Sequence, residues 1–154
     1  MTSIRAELAK LLPAAVAADI PGAPAADLHV TPGSLDEAAA VLAFASRHHL
    51  TVRFYGAGTH QGMGYPVTPD MVLSTSRLGR IVDWQPDDLT VIVEAGCPVA
   101  ELEETLAGGG QTAVLPEFPG ASTVGGTVAA GISGWRRFRY GPTRDRVLEV
   151  MLAT

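Results

Sequence analysis

Two stretches of this chain are dominated by glycine and other small residues. GAGTHQGMG spans residues 56–64 and GASTVGGTVAAG spans 120–131, and together they hold eight of the chain's 17 glycines. Backbone so lightly covered can approach another group closely, and successive N–H groups in such a loop can line one concavity. Each stretch follows a strand-like segment. A single Gly-rich loop is most often only a turn; two of them leave two readings open, a site for a large anionic cofactor or a pair of ordinary loops. In the first loop, Gly56, Ala57, Gly58, Thr59 and His60 are the candidate residues. In the second, Ser122 and Thr123 add hydroxyl donors to the small residues around them.

Composition narrows the classes that remain. With 154 residues, 47% of them hydrophobic and 18% charged, the chain can bury a core and is not a disordered or low-complexity one. A net charge of −5 argues against a general nucleic-acid binder. No run of 18 apolar residues occurs, so no membrane span is expected. Cys97 is the single cysteine, which excludes an internal disulfide and a cysteine-based zinc site. The single lysine, Lys10, lies far from any Gly-rich loop, which excludes a lysine-bearing phosphate loop. Glu7, Lys10 and Pro13 interrupt any apolar leader, so the expected location is cytoplasmic. Charge is uneven: Arg136, Arg137, Arg139, Arg144 and Arg146 crowd into eleven residues against one acid, Asp145. Such a run is usually a solvated face; the sharper alternative is a site for an anionic group or an acidic partner.

Hydrophobic periodicity places the elements. Residues 3–18 read as an amphipathic helix with Ile4, Leu8, Leu11 and Leu12 on one side, kinked or split at Pro13. Ser34 followed by Glu37 is a capping box for a helix whose inward residues are expected to be Leu35, Ala38, Ala39, Leu42 and Ala45. TVRFY (51–55) and MVLST (71–75) read as strands, giving a β/α alternation. IVDW (81–84), a turn at Asp87–Asp88 and LTVIVEAG (89–96) form a second unit, with Val91 and Val93 on one face and Thr90, Ile92 and Glu94 on the other. VAELEETLA (99–107) is a helix ended by Gly108, Gly109 and Gly110. VLEVMLAT (147–154) reads as a last strand.

Familiar catalytic patterns are missing. Residues 56–61 lack the third glycine of the dinucleotide fingerprint. Gly131–Trp135 fails the hydrolase elbow at its last place. His29, His48, His49 and His60 have no metal-like spacing, and the adjacent pair His48–His49 suits a helix C-terminus.

Taken in order, however, the segments resemble one family. VTPGSLDEAAAVLAFASRHHLTVRFYGAGT, then LSTSRLGRIVDWQPDDLTVIVEAGCPVAELEETLAGGGQTAVLP, then FPGASTVGGTVAAGISG resemble the flavin-binding domain of the vanillyl-alcohol oxidase / p-cresol methylhydroxylase superfamily, the FAD-linked oxidases of the PCMH type. The resemblance covers about residues 28–154. GISGWRRFRYGPTRDRVLEV (131–150) is most similar to the FAD-binding subunit of bacterial glycolate oxidase.

The resemblance implies an α+β fold, a two-lobed PCMH-type FAD-binding domain that is C-terminally truncated. It divides the chain into an N-terminal helix and linker (1–27), a first lobe (28–76) and an incomplete second lobe (77–154). It implies that Gly56, Ala57, Gly58, Thr59 and His60 hold the FAD pyrophosphate through backbone amides. Pro116 would lie near the flavin, Gly120, Ala121, Ser122 and Thr123 along it, and Gly125 and Gly126 where backbone passes close to it. Thr59 stands where some relatives carry a flavin-linked histidine, so FAD is expected to be held non-covalently. Tyr55 stands where the family usually has an arginine, and Ala57 replaces a glycine, which implies a looser nest. The activity implied is oxidation of a 2-hydroxy acid such as glycolate by hydride transfer to FAD, needing other oxidase subunits or a complementary chain. The alternatives are a flavin-binding or subunit-docking module without turnover, and a remnant without activity. No catalytic residue is named, and Arg136 and Arg137 are assigned to the fold or to a partner interface. An exposed edge strand near the C-terminus would favour self-association.

Overall fold

The computed structural model describes residues 2–17, 19–116 and 121–153. These residues build two sheets, each with its own apolar core.

The first sheet has the order β1 (Val16–Ala17), β2 (Leu28–Val30), β4 (Met71–Ser74), β3 (Val52–Tyr55). β2 and β3 both run parallel to β4, while β1 is antiparallel on the outside. β4 is central and buried along its whole length, as a parallel strand covered on both faces must be. Its residues alternate between two cores. Met71 and Leu73 join Leu28, Val30, Val41, Phe44 and Leu8, while Val72 meets Ile20 and Tyr55 on the other side. Helix α1 (Thr2–Leu11) supplies Leu8 to the first of these cores, with Ile4 and Leu12 packed against it.

Helix α2 (Leu35–Arg47) starts where the capping box placed it. The Ser34 hydroxyl accepts from the Glu37 N–H at 3.1 Å, and the Glu37 carboxylate accepts from the Gly33 N–H at 2.7 Å. Its inward face differs from expectation. Ala38, Val41, Phe44 and Ala45 are buried, whereas Leu35 is exposed and Ala39 and Leu42 are only half-buried. The face is turned by about a quarter of a revolution, toward the side that carries Val41 and Phe44, which pack with Leu28, Val30, Met71 and Leu73 of the sheet. Likewise Leu11, expected inward on α1, is exposed. The helix ends there, and beyond Pro13 the chain becomes β1 instead of continuing helical.

The second sheet is a hairpin of β5 (Ile81–Gln85) and β6 (Thr90–Val93), joined through a 3-10 turn at Pro86–Asp88. Val91 and Val93 face inward, toward Val99, Leu102 and Leu106 of helix α3 (Val99–Ala107), while Ile92 is exposed, as the alternation predicts. Trp84 closes this core, its indole N–H donating to Gln111 Oε1 at 3.1 Å. The Glu94 N–H donates to Arg80 O at 2.9 Å, extending the hairpin, and one residue pair further on the Gly96 N–H donates to Leu78 O at 2.6 Å in the segment that links β4 to β5.

After the second loop come helix α4 (Val124–Ala129), helix α5 (Arg137–Tyr140) and a 3-10 turn at Thr143–Arg146. The strand expected at 147–154 is not formed over residues 147–153. No neighbouring strand among the described residues is aligned with it, and a strand without a partner leaves its backbone groups to water.

Candidate functional site

The two Gly-rich loops, more than fifty residues apart, meet. The first leaves the carboxyl end of β3, beside the carboxyl end of β4, where open parallel sheets place their ligands. The Thr59 hydroxyl donates to Ala121 O in the second loop. Gly56 lies so close to Thr123 that any side chain there would strike its hydroxyl. Loop contact is thus built into both sequences, one side chain against one absent side chain.

Within the first loop the backbone amides of Ala57, Gly58 and Thr59 donate to no acceptor among the described residues. Gly58 takes the left-handed conformation, φ +78°, and a Cβ there would fall 2.7 Å from the Tyr55 hydroxyl. Ala57 has no positive φ, so an alanine there meets no left-handed strain. Ala57 and Thr59 are exposed, while Gly56, Gly58 and His60 are half-buried. A loop that keeps three amides unspent beside solvent is a ready acceptor of anionic oxygens.

The second loop spends its amides internally. Val124 N–H donates to Cys97 O at 2.9 Å and Gly125 N–H to Ala95 O at 2.8 Å. Gly126 N–H donates to the Thr123 hydroxyl, the cap of α4, at 3.2 Å. Ser122 O accepts from Val99 N–H at 2.9 Å. Residues 121–125 are therefore stitched along 95–99, and Ser122 and Thr123 are buried. Gly125 is a glycine because its Cα faces Ala95, whose Cβ would lie 2.6 Å from any Cβ added there. Pro116 is buried against Gly134 and lines a cavity of about 10 Å³ with Ser133 and Trp135. That space is too small for a ligand. Gly120 lies outside the described residues.

Some contributors carried no clear sequence signal. Gly96 belongs to no glycine cluster, yet a Cβ there would lie 2.7 Å from Leu78 O and closer still to Thr75 O. Its place at the end of the strongest strand is the clue, since a lone glycine there marks close backbone approach. Arg53 and Gln61, flanking the first loop, were hidden because their link depends on the loop's path.

The one thiol is not an activated nucleophile. Burial, reinforced by Glu101 and Glu94, pushes the Cys97 thiol up, and its side chain is fully covered. Glu94 is held below the usual carboxylate range, first by its hydrogen bond from Arg80, whose Nη2 lies 2.6 Å away. Arg146 serves the fold, donating to the carbonyls of Tyr140 at 2.8 Å, Gly141 at 3.0 Å and Pro142 at 3.1 Å. No group of acidic, histidine or cysteine side chains among the described residues can hold a metal. No described helix is long and apolar enough to cross a membrane.

Comparison with known proteins identifies the family. The sequence matches the family model described as "FAD binding domain" over residues 26–154. It is 32% identical over 127 residues to a D-2-hydroxyglutarate dehydrogenase of Xanthomonas citri pv. viticola, covering 80% of this chain and 26% of that protein. It is 31% identical over 133 residues to glycolate oxidase subunit GlcD of Bacillus subtilis, covering 82% and 28%. Among solved structures, an alkyldihydroxyacetonephosphate synthase superposes with a TM-score of 0.67 at 23% identity, covering 78% of this chain and 25% of that one. The pollen glucose dehydrogenase Phl p 4.0202 superposes with a TM-score of 0.63 at 20% identity, covering 82% and 26%. The chain spans about a quarter of the length of these relatives. A glycine-bearing loop with unspent amides, two joined sheets and a match over most of the sequence converge on one conclusion: this chain belongs to the FAD binding domain family of FAD-linked oxidoreductases of the vanillyl-alcohol oxidase / PCMH type.

Proposed function

We propose that the chain provides the FAD-holding part of an oxidoreductase acting on a 2-hydroxy acid, with glycolate one candidate. The observation that carries the cofactor side is the set of three unspent amides at Ala57, Gly58 and Thr59. We assign them to the FAD diphosphate, held without a covalent link. FAD, when bound, supplies a two-electron acceptor for a substrate hydride. The chain's own part is to fix the diphosphate against the first loop while the second loop holds that loop in place. Support for the substrate class comes from the relatives, whose names specify 2-hydroxyglutarate and glycolate. Because the chain spans only about a quarter of those proteins, turnover is assigned to an assembly with further oxidase polypeptide. The alternative is a flavin-holding module without turnover of its own. Its support is that the chain spans only about a quarter of the relatives' length while the family match lies on the FAD binding domain.

The test is FAD titration of the purified chain by flavin fluorescence, with Ala57→Asp as control. Ala57 is exposed, so the new carboxylate leaves packing untouched and repels the diphosphate. Saturable binding is expected, weakened at least roughly tenfold in Ala57→Asp. Equal affinity in both chains would remove the diphosphate from this loop. Turnover of 2-hydroxy acids with a dye acceptor, after adding candidate subunits, separates the enzyme from the module.

A further inference from the structure

The first loop is closed at its base by one arginine. Arg53, on β3, donates through Nε to Gln61 Oε1 at 2.6 Å and through Nη2 to the Gln61 backbone carbonyl. The Gln61 side-chain amide donates in turn to Phe54 O at 3.1 Å. Residue 61 is thereby bolted to residues 53 and 54, and the loop 56–60 is the arch between them. All the acceptors Arg53 uses are neutral. Among the described residues no carboxylate pairs with it, so its charge stays unneutralised at the foot of a loop whose amides are also unspent. A guanidinium is normally placed to satisfy an anion or to hold a shape with its fork, and this one can do both.

We infer that Arg53 is a positioning residue of the first loop: through Gln61 it fixes the arch that presents the amides of Ala57, Gly58 and Thr59, and it sets a positive charge beneath them for an anionic diphosphate. The inference rests on the reading of that loop as the diphosphate cradle. It has a part that concerns only the ligand-free chain, the shape of the arch.

Wild-type protein is compared with Arg53→Met, Gln61→Ala and Arg53→Lys. Backbone amide order parameters over residues 56–61, measured in the ligand-free chain, report the arch directly. Titrations with FAD and with ADP, a diphosphate without the flavin, report the cradle. In Arg53→Met and Gln61→Ala the loop order parameters are expected to fall below about 0.6, with those of α2 and β4 and the thermal midpoint unchanged. Both ligands should bind roughly tenfold more weakly to Arg53→Met. Arg53→Lys keeps the charge without the fork, so it should loosen the loop yet lose less affinity, and its binding should remain salt-sensitive where that of Arg53→Met is not. Unchanged loop order in Arg53→Met and Gln61→Ala would overturn the inference. So would a general loss of order, which marks a merely structural arginine. Should wild-type protein bind neither ligand while the variants still loosen the loop, the clamp stands and the diphosphate reading falls.

Discussion

Gly96 shows how one residue can carry a junction between sheets. Its N–H bonds Leu78 O, and its Cα lies against the carbonyl of Thr75. A methyl group there meets backbone on both sides, which no rotamer change relieves. Gly96→Ala is therefore expected to destabilise the chain by about 2 kcal/mol or more. Urea unfolding would show this as a lower midpoint at unchanged slope, and a midpoint shift within error would refute it. Leu89 is the opposite case. It sits exposed at the hairpin turn with φ +57°, a conformation that suits asparagine or glycine better than leucine. Leu89→Gly should raise stability by roughly 0.5–1 kcal/mol, since it removes strain and an exposed side chain while touching no core residue. The same unfolding assay decides it, and a loss of stability would mean that Leu89 packs where the structure shows it exposed.

The hairpin's outer edge makes its stability depend on acid. Glu94 follows β6 and accepts from both the Arg80 backbone N–H at 2.8 Å and the Arg80 guanidinium. Its carboxyl pKa is depressed in the folded chain, chiefly by the Arg80 side chain. A depressed acid stabilises the fold above its unfolded pKa of about 4.3, and that contribution is lost as pH falls through the folded value. Stability should thus decline with acidification below the ordinary carboxylate range, and Glu94→Gln should flatten part of that decline. Thermal midpoints of both chains between neutral pH and acid would check it; parallel curves would mean that Glu94 adds no pH dependence. Much at this scale was legible in the sequence. The Ser34–Glu37 spacing marks the start of α2, alternation orients β6, and the glycine run at 108–110 ends α3. What escaped is the rotation of α2, since helical periodicity alone does not tell whether Leu35 or Phe44 meets the sheet. Two sequence-distant loops could be matched to one cofactor, but not the Thr59–Ala121 bond, which exists only once β3 and the 95–99 segment are in place.

At the scale of the molecule, self-association acquires a different cause. An edge strand at the C-terminus was the expected route, and residues 147–153 form no strand. The same part of the chain nevertheless carries several exposed apolar side chains. Trp135 is 83% exposed, Phe138 fully so, and Leu148, Met151 and Leu152 each more than 70%. Arg137 and Arg139 are exposed among them, with Arg139 stacked 5.4 Å from the Tyr140 ring. Exposed aromatics interleaved with arginines are the composition of contact surfaces. Of the five arginines in this segment, Arg146 is spent on the fold. The 154-residue chain alone is therefore expected to form dimers or larger species as its concentration rises, driven by apolar contact and insensitive to salt. Light scattering coupled to size-exclusion chromatography measures this directly. Trp135→Ser combined with Phe138→Ser should shift the population toward monomer without lowering the thermal midpoint, because neither side chain is part of a core. A wild-type chain that stays monomeric at every concentration would rule this face out as sticky, and association abolished by salt would assign it to the arginines instead.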